Sequence, residues 1–117
     1  MKTISYKDLI VWQKSKKLVI EVYNLTNQLP SSEKFGVISQ FNRAAFSIPL
    51  NIAEGYRRRG GKERKQFFTI AFGSGAELEA LVDICKDLPD FKHLNFSKIE
   101  SLLNEVMRML NVFIKNS

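Results

Sequence analysis

Residues 37–58 read VISQFNRAAFSIPLNIAEGYRR. Apolar side chains recur in this stretch at spacings of three and four, which places them on one face of an α-helix. Because proline lacks an amide proton, we expect Pro49 to remove one backbone hydrogen bond and to kink this helix. The residues predicted to face a core are Val37, Ile38, Phe41, Ala44, Ala45, Ile48 and Ile52.

The helical period continues on both sides of this stretch. It predicts a first helix over about 5–29, the second over about 31–58, a third over about 60–88 and a fourth over about 97–115. No alternating run rich in Val and Ile is present, so we predict no β-strand. Four long helices with short links predict an all-α fold, an antiparallel up-down four-helix bundle that occupies 1–117 as a single domain.

Capping residues mark two of the predicted helix starts. Ser5 with Asp8, and Ser97 with Glu100, each have the spacing of a capping box, in which a hydroxyl and a carboxylate accept hydrogen bonds from the first free amides. Pro30 ends the first helix because it cannot continue the hydrogen-bond ladder.

Composition indicates a folded protein that is not inserted in a membrane. The chain has 117 residues, of which 44% are hydrophobic and 26% are charged, as in ordinary globular domains. No apolar run approaches the roughly 20 residues that span a bilayer. The first residues are polar rather than an apolar leader, so we expect a cytoplasmic protein.

No set of residues predicts catalysis or a cofactor. Cys85 and His93 are single residues of their kinds, which argues against a disulfide framework and a zinc site. Asp83, Asp87 and Asp90 lie near the end of the third helix, where acids more often form a solvated face than a metal site. We therefore expect that the protein is not an enzyme.

Small and polar residues also follow the helical spacing. Residues 73–75, Gly-Ser-Gly, lie inside a helix, and we expect close approach by another helix to bring them against Ala44, Ala45 and Ala53. Five polar residues share one face of helix two. Such a row is usually the solvent side of a helix; the alternative is a hydrogen-bond network or the lining of a channel in an oligomer. The row consists of Gln40, Arg43, Ser47, Asn51 and Glu54.

The positive charge is concentrated in one segment. The chain has a net charge of +6, and residues 57–65 contain six Lys or Arg against one Glu, so the other 108 residues sum to about +1. Clustered cations between two helices predict a phosphate-binding patch, although a solvated turn is an equal alternative. Nearby aromatic residues are few, which favours recognition of shape or backbone over bases. The six cations of this basic turn are Arg57, Arg58, Arg59, Lys62, Arg64 and Lys65.

Helices two and three have more apolar surface than one bundle core requires. On helix two, a second stripe contains Phe35, Phe46, Leu50 and Ala53. On helix three, one face is predicted to join the core and another to carry a second stripe. The predicted core residues of helix three are Phe67, Ile70, Ala71, Leu78, Leu81 and Cys85. The second stripe of helix three contains Phe68, Phe72 and Ala76.

We expect the second stripes to form a subunit interface, since an exposed apolar patch of this size is unusual in a monomer. The alternative is a bundle tight enough to cover both stripes. The predicted interface residues are Phe46, Leu50, Ala53, Phe68 and Phe72.

Four motifs occur in an order and spacing that resembles one known family. They are Asp8-Leu9-x-Val11-Trp12-Gln13-Lys14, Gln40-x-x-Arg43-Ala44-Ala45, Ser47-Ile48-Pro49-x-Asn51-Ile52-Ala53-Glu54-Gly55 and Ile70-Ala71-x-Gly73-Ser74-x-x-Glu77-Leu78. Together they resemble the four-helix bundle family of 23S rRNA intervening-sequence proteins over roughly residues 5–88. The string at 47–55 is the most specific, and helix four matches only as an amphipathic helix.

The resemblance implies a bacterial four-helix bundle that assembles into a ring, typically a pentamer, with a basic surface. Related proteins are the accessory variability determinants of diversity-generating retroelements, basic barrels that bind nucleic acid and a reverse transcriptase. No catalytic residue is carried over, and Leu50 stands where the family often has serine. The motif residues are implied to serve packing and assembly: Arg43, Asn51, Glu54, Gly73, Ser74 and Glu77.

We therefore predict a non-catalytic, cofactor-free homo-oligomer that binds nucleic acid, RNA in preference to DNA, through the basic turn. The main alternative is an oligomeric scaffold or adaptor that binds a protein partner, such as a reverse transcriptase, and no nucleic acid. A metal-dependent hydrolase that uses the acids near Asp83 is a third alternative. Salt dependence separates the first two, because phosphate contacts weaken steeply with salt and apolar interfaces do not.

Overall fold

The computed structural model describes residues 5–33 and 35–116 of the chain. No β-strand occurs within these two ranges, and none of their helices is long and apolar enough to cross a membrane. The helices form an elongated body of 52 × 24 × 24 Å. The regular elements are a 3-10 turn at Tyr6–Asp8, α1 (Ile10–Thr26), a second 3-10 turn at Ser31–Glu33, α2 (Val37–Arg57), α3 (Gly61–Lys86) and α4 (Ser97–Lys115).

Contacts between α2, α3 and α4 show that consecutive helices run antiparallel. Arg43 pairs with Glu77, and Gly55 lies against Phe68, so rising residue numbers on α2 meet falling numbers on α3. The ring of Phe68 also meets the ring of Phe113 on α4, with 5.5 Å between centroids. Helix α1 packs against both α2 and α4 and completes the bundle. The predicted all-α fold of four helices is confirmed.

The first capping box is confirmed, but it caps a shorter element than expected. The Ser5 hydroxyl accepts a hydrogen bond from the Lys7 amide at 3.1 Å, and the Asp8 carboxylate accepts one from the Ser5 amide at 3.0 Å. Leu9 then takes an extended conformation (φ −74°, ψ 127°) that separates the 3-10 turn from α1. The single helix predicted over 5–29 is therefore divided near its start.

The second capping box, between Ser97 and Glu100, is absent, so that prediction is wrong. The Ser97 amide and hydroxyl both donate to the side-chain oxygen of Asn95, at 2.9 and 2.7 Å. Glu100 instead accepts a hydrogen bond from Lys86 at the end of α3. An asparagine two residues before the helix thus replaces the predicted serine cap, and the glutamate forms an inter-helix ion pair.

The core face predicted for α2 is confirmed. Five of its seven residues are buried, and Val37 and Ile38 at the helix start are half-buried against the core. Pro49 is also buried and lies inside one continuous helix. Together with buried residues of the other helices, this face forms one core, in which the side chains with zero exposure include Leu18, Val22, Ile48, Ile52, Ala71, Leu78, Val106 and Leu110.

The core face predicted for α3 is wrong at its first turns. Phe68, predicted at a subunit interface, is only 2% exposed and lies in the core, while Phe67 is half-buried and Ile70 is 49% exposed. The cause lies on α2, because a Cβ at Gly55 would come within 2.9 Å of the Phe68 ring. The missing side chain lets the ring pack on the α2 backbone. The buried residues of α3 are Phe68, Ala71, Gly75, Leu78, Val82 and Cys85.

The helical glycines of α3 differ from each other. A Cβ at Gly75 would clash with the sulfur of Met107 on α4, whereas a Cβ at Gly73 would meet no atom within 4 Å. Close helix approach is therefore confirmed at Gly75. Its partner is α4, not the alanines of α2, so that part of the prediction is wrong.

Candidate nucleic-acid interface

The basic turn connects α2 to α3 at one end of the bundle. Helix α2 ends at Arg57, and Arg58 is extended (φ −75°, ψ 143°). Gly60 is also extended and precedes the first residue of α3, with no side-chain cap on the helix amides. The link is only residues 58–60, so cations from the end of one helix and the start of the next share one small surface.

Arg64 holds this turn in shape. Its guanidinium donates hydrogen bonds to the carbonyl oxygens of Gly55 (3.3 Å), Tyr56 (3.1 Å) and Arg58 (2.8 Å). The carbonyls of Gly55 and Tyr56 belong to the last turn of α2, and that of Arg58 follows the helix directly. The Gly55 carbonyl also accepts the Arg58 amide at 3.1 Å, and the helix dipole favours a cation at this end. The side chain is half-buried. Arg64 therefore serves as a cap for α2, a role that the sequence pattern did not reveal.

Arg58 is also engaged within the fold. Its guanidinium lies 3.5 Å from the Glu54 carboxylate and 4.8 Å from the centre of the Phe67 ring. Its Nε atom is buried and makes no hydrogen bond with the described residues. The stacked geometry fixes the side chain across the turn, which limits its freedom to reach a ligand.

The remaining cations of the basic turn point to solvent. Arg59, Lys62 and Lys65 are exposed, and within residues 5–33 and 35–116 their side chains make no hydrogen bond or salt bridge. Arg57 is exposed as well, and its guanidinium carbon lies 5.3 Å from the centre of the Tyr6 ring. The six predicted residues therefore divide into two that stabilise the turn and four that are available to a ligand.

Sequence analysis missed a second group of cations on α1. Residues 7–17 contain four lysines against one acid, Asp8, but acids elsewhere in the chain hide this excess in the overall count. The Tyr6 ring meets the Trp12 ring edge-on at 5.1 Å and also lies against Arg57. The start of α1 therefore adjoins the basic turn. Counting charges segment by segment would have revealed the lysines, and the antiparallel arrangement of the helices would have placed them near the turn.

The polar row on α2 forms a network with α3. Arg43 donates to Gln40 at 3.1 Å and to Glu77 at 3.0 Å. One helical turn further on, the hydroxyls of Ser47 and Ser74 are 2.7 Å apart. The Ser47 hydroxyl also accepts from the Asn51 amide at 3.0 Å. The hydrogen-bond network proposed as the alternative for this polar row is confirmed for these residues. Their side chains are hydrogen-bonded within the chain.

Two exposed residues of the second stripe of helix two, Phe46 and Leu50, lie beside α1 rather than α3. Phe46 is 47% exposed and Leu50 is 65% exposed, while Phe72 is half-buried against the core. Trp12 and Val19 of α1, which were not among the predicted interface residues, also line this surface between α1 and α2. The surface includes a groove of about 250 Å³ lined by Tyr6, Trp12, Lys16, Val19, Phe46, Pro49, Leu50 and Ala53.

Residues 7–112 match the family model described as 23S rRNA-intervening sequence protein. The chain belongs to this family. A crystal structure from Bacteroides thetaiotaomicron, of a protein with unknown function from the S23 ribosomal protein family, has a TM-score of 0.77 at 24% identity. The match covers 91% of this chain and 99% of that one, so the likeness extends to the fold of almost the whole chain. No curated protein matches the chain significantly.

Away from the basic turn, two features bear on metal binding and on thiol reactivity. Among the described residues, no three His, Cys, Asp or Glu side chains are grouped to hold a metal ion. The Cys85 thiol is buried, and desolvation, with a smaller contribution from the charge of Glu33, raises its pKa. A thiol whose pKa is raised stays protonated and is a weak nucleophile.

Proposed function

We propose that this protein is a non-catalytic nucleic-acid-binding protein of the cytoplasm that acts as a homo-oligomer and prefers structured RNA to DNA. The observation that carries this proposal is that two cations of the basic turn stabilise the fold while the other four are exposed. Arg58 and Arg64 are held by contacts within the fold, so the backbone that displays the other four cations is fixed.

The available cations suit phosphate groups of a nucleic acid. Among the described residues, Arg59, Lys62 and Lys65 form no ion pair, so none of the described anions has to be displaced when a phosphate binds. The uncapped amides at the start of α3 add positive potential at the same place. Each phosphate neutralised by a cation releases condensed counterions, which supplies affinity without sequence readout. The turn therefore favours recognition of backbone and shape.

The apolar surface between α1 and α2 supports the homo-oligomer. Phe46 and Leu50 line a groove of about 250 Å³ and are exposed. A second copy of the chain would cover these two side chains. In a ring, with a pentamer as the form implied by the family resemblance, the basic turns of several subunits would contact one ligand. Such multivalency raises affinity without new contacts when the ligand can reach several sites.

Fluorescence anisotropy across a salt series tests the nucleic-acid proposal. The probes are a structured RNA hairpin and a duplex DNA, and the variant is Arg59→Ala/Lys62→Ala/Lys65→Ala. We expect tighter binding to RNA and a salt slope in the variant that is shallower by about 0.9 for each duplex phosphate that the variant no longer neutralises. A charge-matched comparison uses Lys62→Ala/Lys65→Ala and Lys92→Ala/Lys98→Ala, since Lys92 and Lys98 are exposed at the other end of the bundle.

The same titration decides between the two classes of function. Weak, salt-indifferent traces with both probes would exclude the nucleic-acid proposal. The apolar groove would then favour the second candidate, an oligomeric scaffold that binds a protein partner such as a reverse transcriptase. Equal losses in the two double-lysine variants would show that total charge, not the basic turn, determines binding.

Light scattering tests the oligomer separately. We expect Phe46→Asp to lower the assembled mass, because a carboxylate would be buried in the apolar groove. Ile84→Asp is the matched control, since Ile84 is 58% exposed on α3, outside this groove. An unchanged mass for Phe46→Asp would show that the surface between α1 and α2 is not the interface.

A further inference from the structure

A groove on the outer face of α1 adjoins the basic turn. We infer that this groove binds an unpaired nucleotide segment, with Trp12 as the surface on which a base stacks and lysines as partners of the flanking phosphates. The inference rests on the proposed function and assigns part of the ligand to α1. The groove has a volume of about 640 Å³ and is lined by Lys7, Trp12, Gln13, Lys16, Lys17 and Ile20.

The indole of Trp12 is held in place at the edge of this groove. One side of it meets the Tyr6 ring at 5.1 Å with an interplanar angle of 76°, and the Lys16 ammonium lies 5.7 Å from its centroid. The ring is half-buried, and it lines both this groove and the apolar groove assigned above to the subunit interface. A base can therefore stack only on the part of the ring that faces the α1 groove and stays uncovered in the oligomer. Stacking on a fixed aromatic ring is available to every base, which suits binding that is tolerant of sequence.

The lysines of the groove are available to phosphates. Lys7, Lys16 and Lys17 are exposed, and within the described part of the chain none of them forms a salt bridge. Lys14 differs, since it binds Glu105 on α4 at 2.6 Å.

The lining of the groove contains three lysines and no acid. Asp8, next to Lys7 in the chain, accepts a hydrogen bond from the Ser5 amide, and Glu105 is paired with Lys14. The groove therefore presents positive charge, which complements a nucleic-acid backbone.

The groove and the basic turn form one continuous surface. Tyr6 connects them, because its ring contacts Trp12 on one side and lies 5.3 Å from the Arg57 guanidinium on the other. A paired region bound at the turn would direct an adjoining unpaired strand along α1. The ligand class is therefore a structured RNA with a single-stranded extension.

Trp12 is the sole tryptophan of the chain, so its intrinsic fluorescence reports on the groove without any substitution. The probes are an RNA hairpin with a single-stranded uridine tail and the same hairpin with a blunt end. We expect the tailed hairpin to quench Trp12 fluorescence over the concentration range in which anisotropy shows binding. The blunt hairpin should bind at the turn and leave the fluorescence unchanged.

Variants on α1 then test affinity. Trp12→Leu should weaken binding of the tailed hairpin by about five- to one-hundred-fold for each base that stacks and leave the blunt hairpin unaffected. Lys16→Ala/Lys17→Ala should lower the salt slope of the tailed hairpin by about 1.4, at about 0.7 per phosphate on a single strand. The exposed pair Lys92→Ala/Lys98→Ala is the control. If Trp12→Leu does not fold, the lysine variant and the fluorescence of the unmodified protein carry the test.

The outcomes separate this inference from the proposed function. Equal affinity for both hairpins, with unchanged Trp12 fluorescence, would overturn the α1 site and leave the basic turn as the phosphate site. Binding of neither hairpin would overturn the proposed function and the α1 site with it. Protection of Trp12 from acrylamide quenching in the ligand-free oligomer would also overturn the α1 site, because a covered ring cannot receive a base.

Discussion

The two ends of the bundle differ: the closed end contains the link between α3 and α4, and the open end contains the link between α2 and α3. At one end, residues 87–96 link α3 to α4, and Phe91, Leu94 and Phe96 of this link are buried. At the other end, residues 58–60 link α2 to α3, and none of their side chains is buried. The first end is stabilised by apolar burial, while the second depends on hydrogen bonds from Arg64 to three carbonyls.

This difference shows how a small bundle can carry a concentrated charge. At an end that is closed by apolar side chains, the residues of the link are used for packing and few of them can carry a ligand-binding group. An end fixed by two arginines, Arg58 and Arg64, leaves its other four cations exposed. The open end therefore combines a backbone held by hydrogen bonds with exposed cations, which is the arrangement expected of a phosphate-binding surface.

The largest effect on stability is expected at the closed end. Phe96→Ala should lower the free energy of unfolding by about 3–5 kcal/mol, because Phe96 is 4% exposed and its removal leaves a cavity. Urea denaturation measures the loss. Arg59→Ala at the open end is the matched comparison and should change stability by no more than about 0.5 kcal/mol. Similar losses in both variants would contradict the distinction between the two ends.

Arg64→Ala should have an intermediate effect. We expect a loss of about 1.5–3 kcal/mol in the free energy of unfolding, since three carbonyls at the end of α2 lose a charged donor. Arg64→Lys should recover only part of it, because a single ammonium cannot match the planar fork of a guanidinium. Lys65→Ala, which removes an exposed cation next in the chain, is the control. Equal stability of Arg64→Ala and Lys65→Ala would refute the capping role.

A glycine pair tests how the open end is packed. Gly55→Ala should destabilise the fold by about 1–3 kcal/mol, because the new Cβ would lie 2.9 Å from the Phe68 ring. Gly60→Ala should be neutral or slightly stabilising, since its backbone is extended and a Cβ there meets no atom within 4 Å. Thermal melts of the two variants provide the measurement. A stable Gly55→Ala protein would show that the Phe68 ring shifts without cost.

Much of the fold follows from the sequence because its signals are local. Helical spacing predicted the four helices, and the core face of α2 was predicted because a row of polar residues separates it from the second apolar stripe. The face of α3 was not, since Phe67, Phe68 and Ile70 are all apolar and periodicity cannot choose among them. That choice depends on Gly55, a residue of another helix that approaches only in the folded chain.

The location of the candidate site was predicted from the sequence, but which of its cations stabilise the turn and which are exposed was not. The cations of residues 57–65 are evident in the sequence, whereas the hydrogen bonds of Arg64 depend on the path of the backbone through the turn. The lysines of α1 were missed for a similar reason. Their proximity to the basic turn depends on Tyr6, which the fold brings beside Arg57.

The smallest effects are expected from two exposed ion pairs, through the pH dependence of stability. The hydrogen bond to Glu100 raises the pKa of Lys86 at the closed end, so this pair stabilises the fold below the usual lysine range and is lost as pH rises through the raised pKa. The hydrogen bond from Lys14 lowers the pKa of Glu105, so that pair is lost as pH falls below the usual range for glutamate.

Urea midpoints measured across pH separate the two pairs. Lys86→Gln should reduce the loss of stability at alkaline pH and leave the loss at acid pH unchanged. Glu105→Gln should reduce the loss at acid pH and leave the loss at alkaline pH unchanged. Both changes should be small because the pairs are partly exposed and screened by solvent. If Lys86→Gln cost as much as Phe96→Ala at neutral pH, the closed end would depend on the ion pair as strongly as on its buried aromatic side chains. Apolar burial would then not be what distinguishes it from the arginine-capped end.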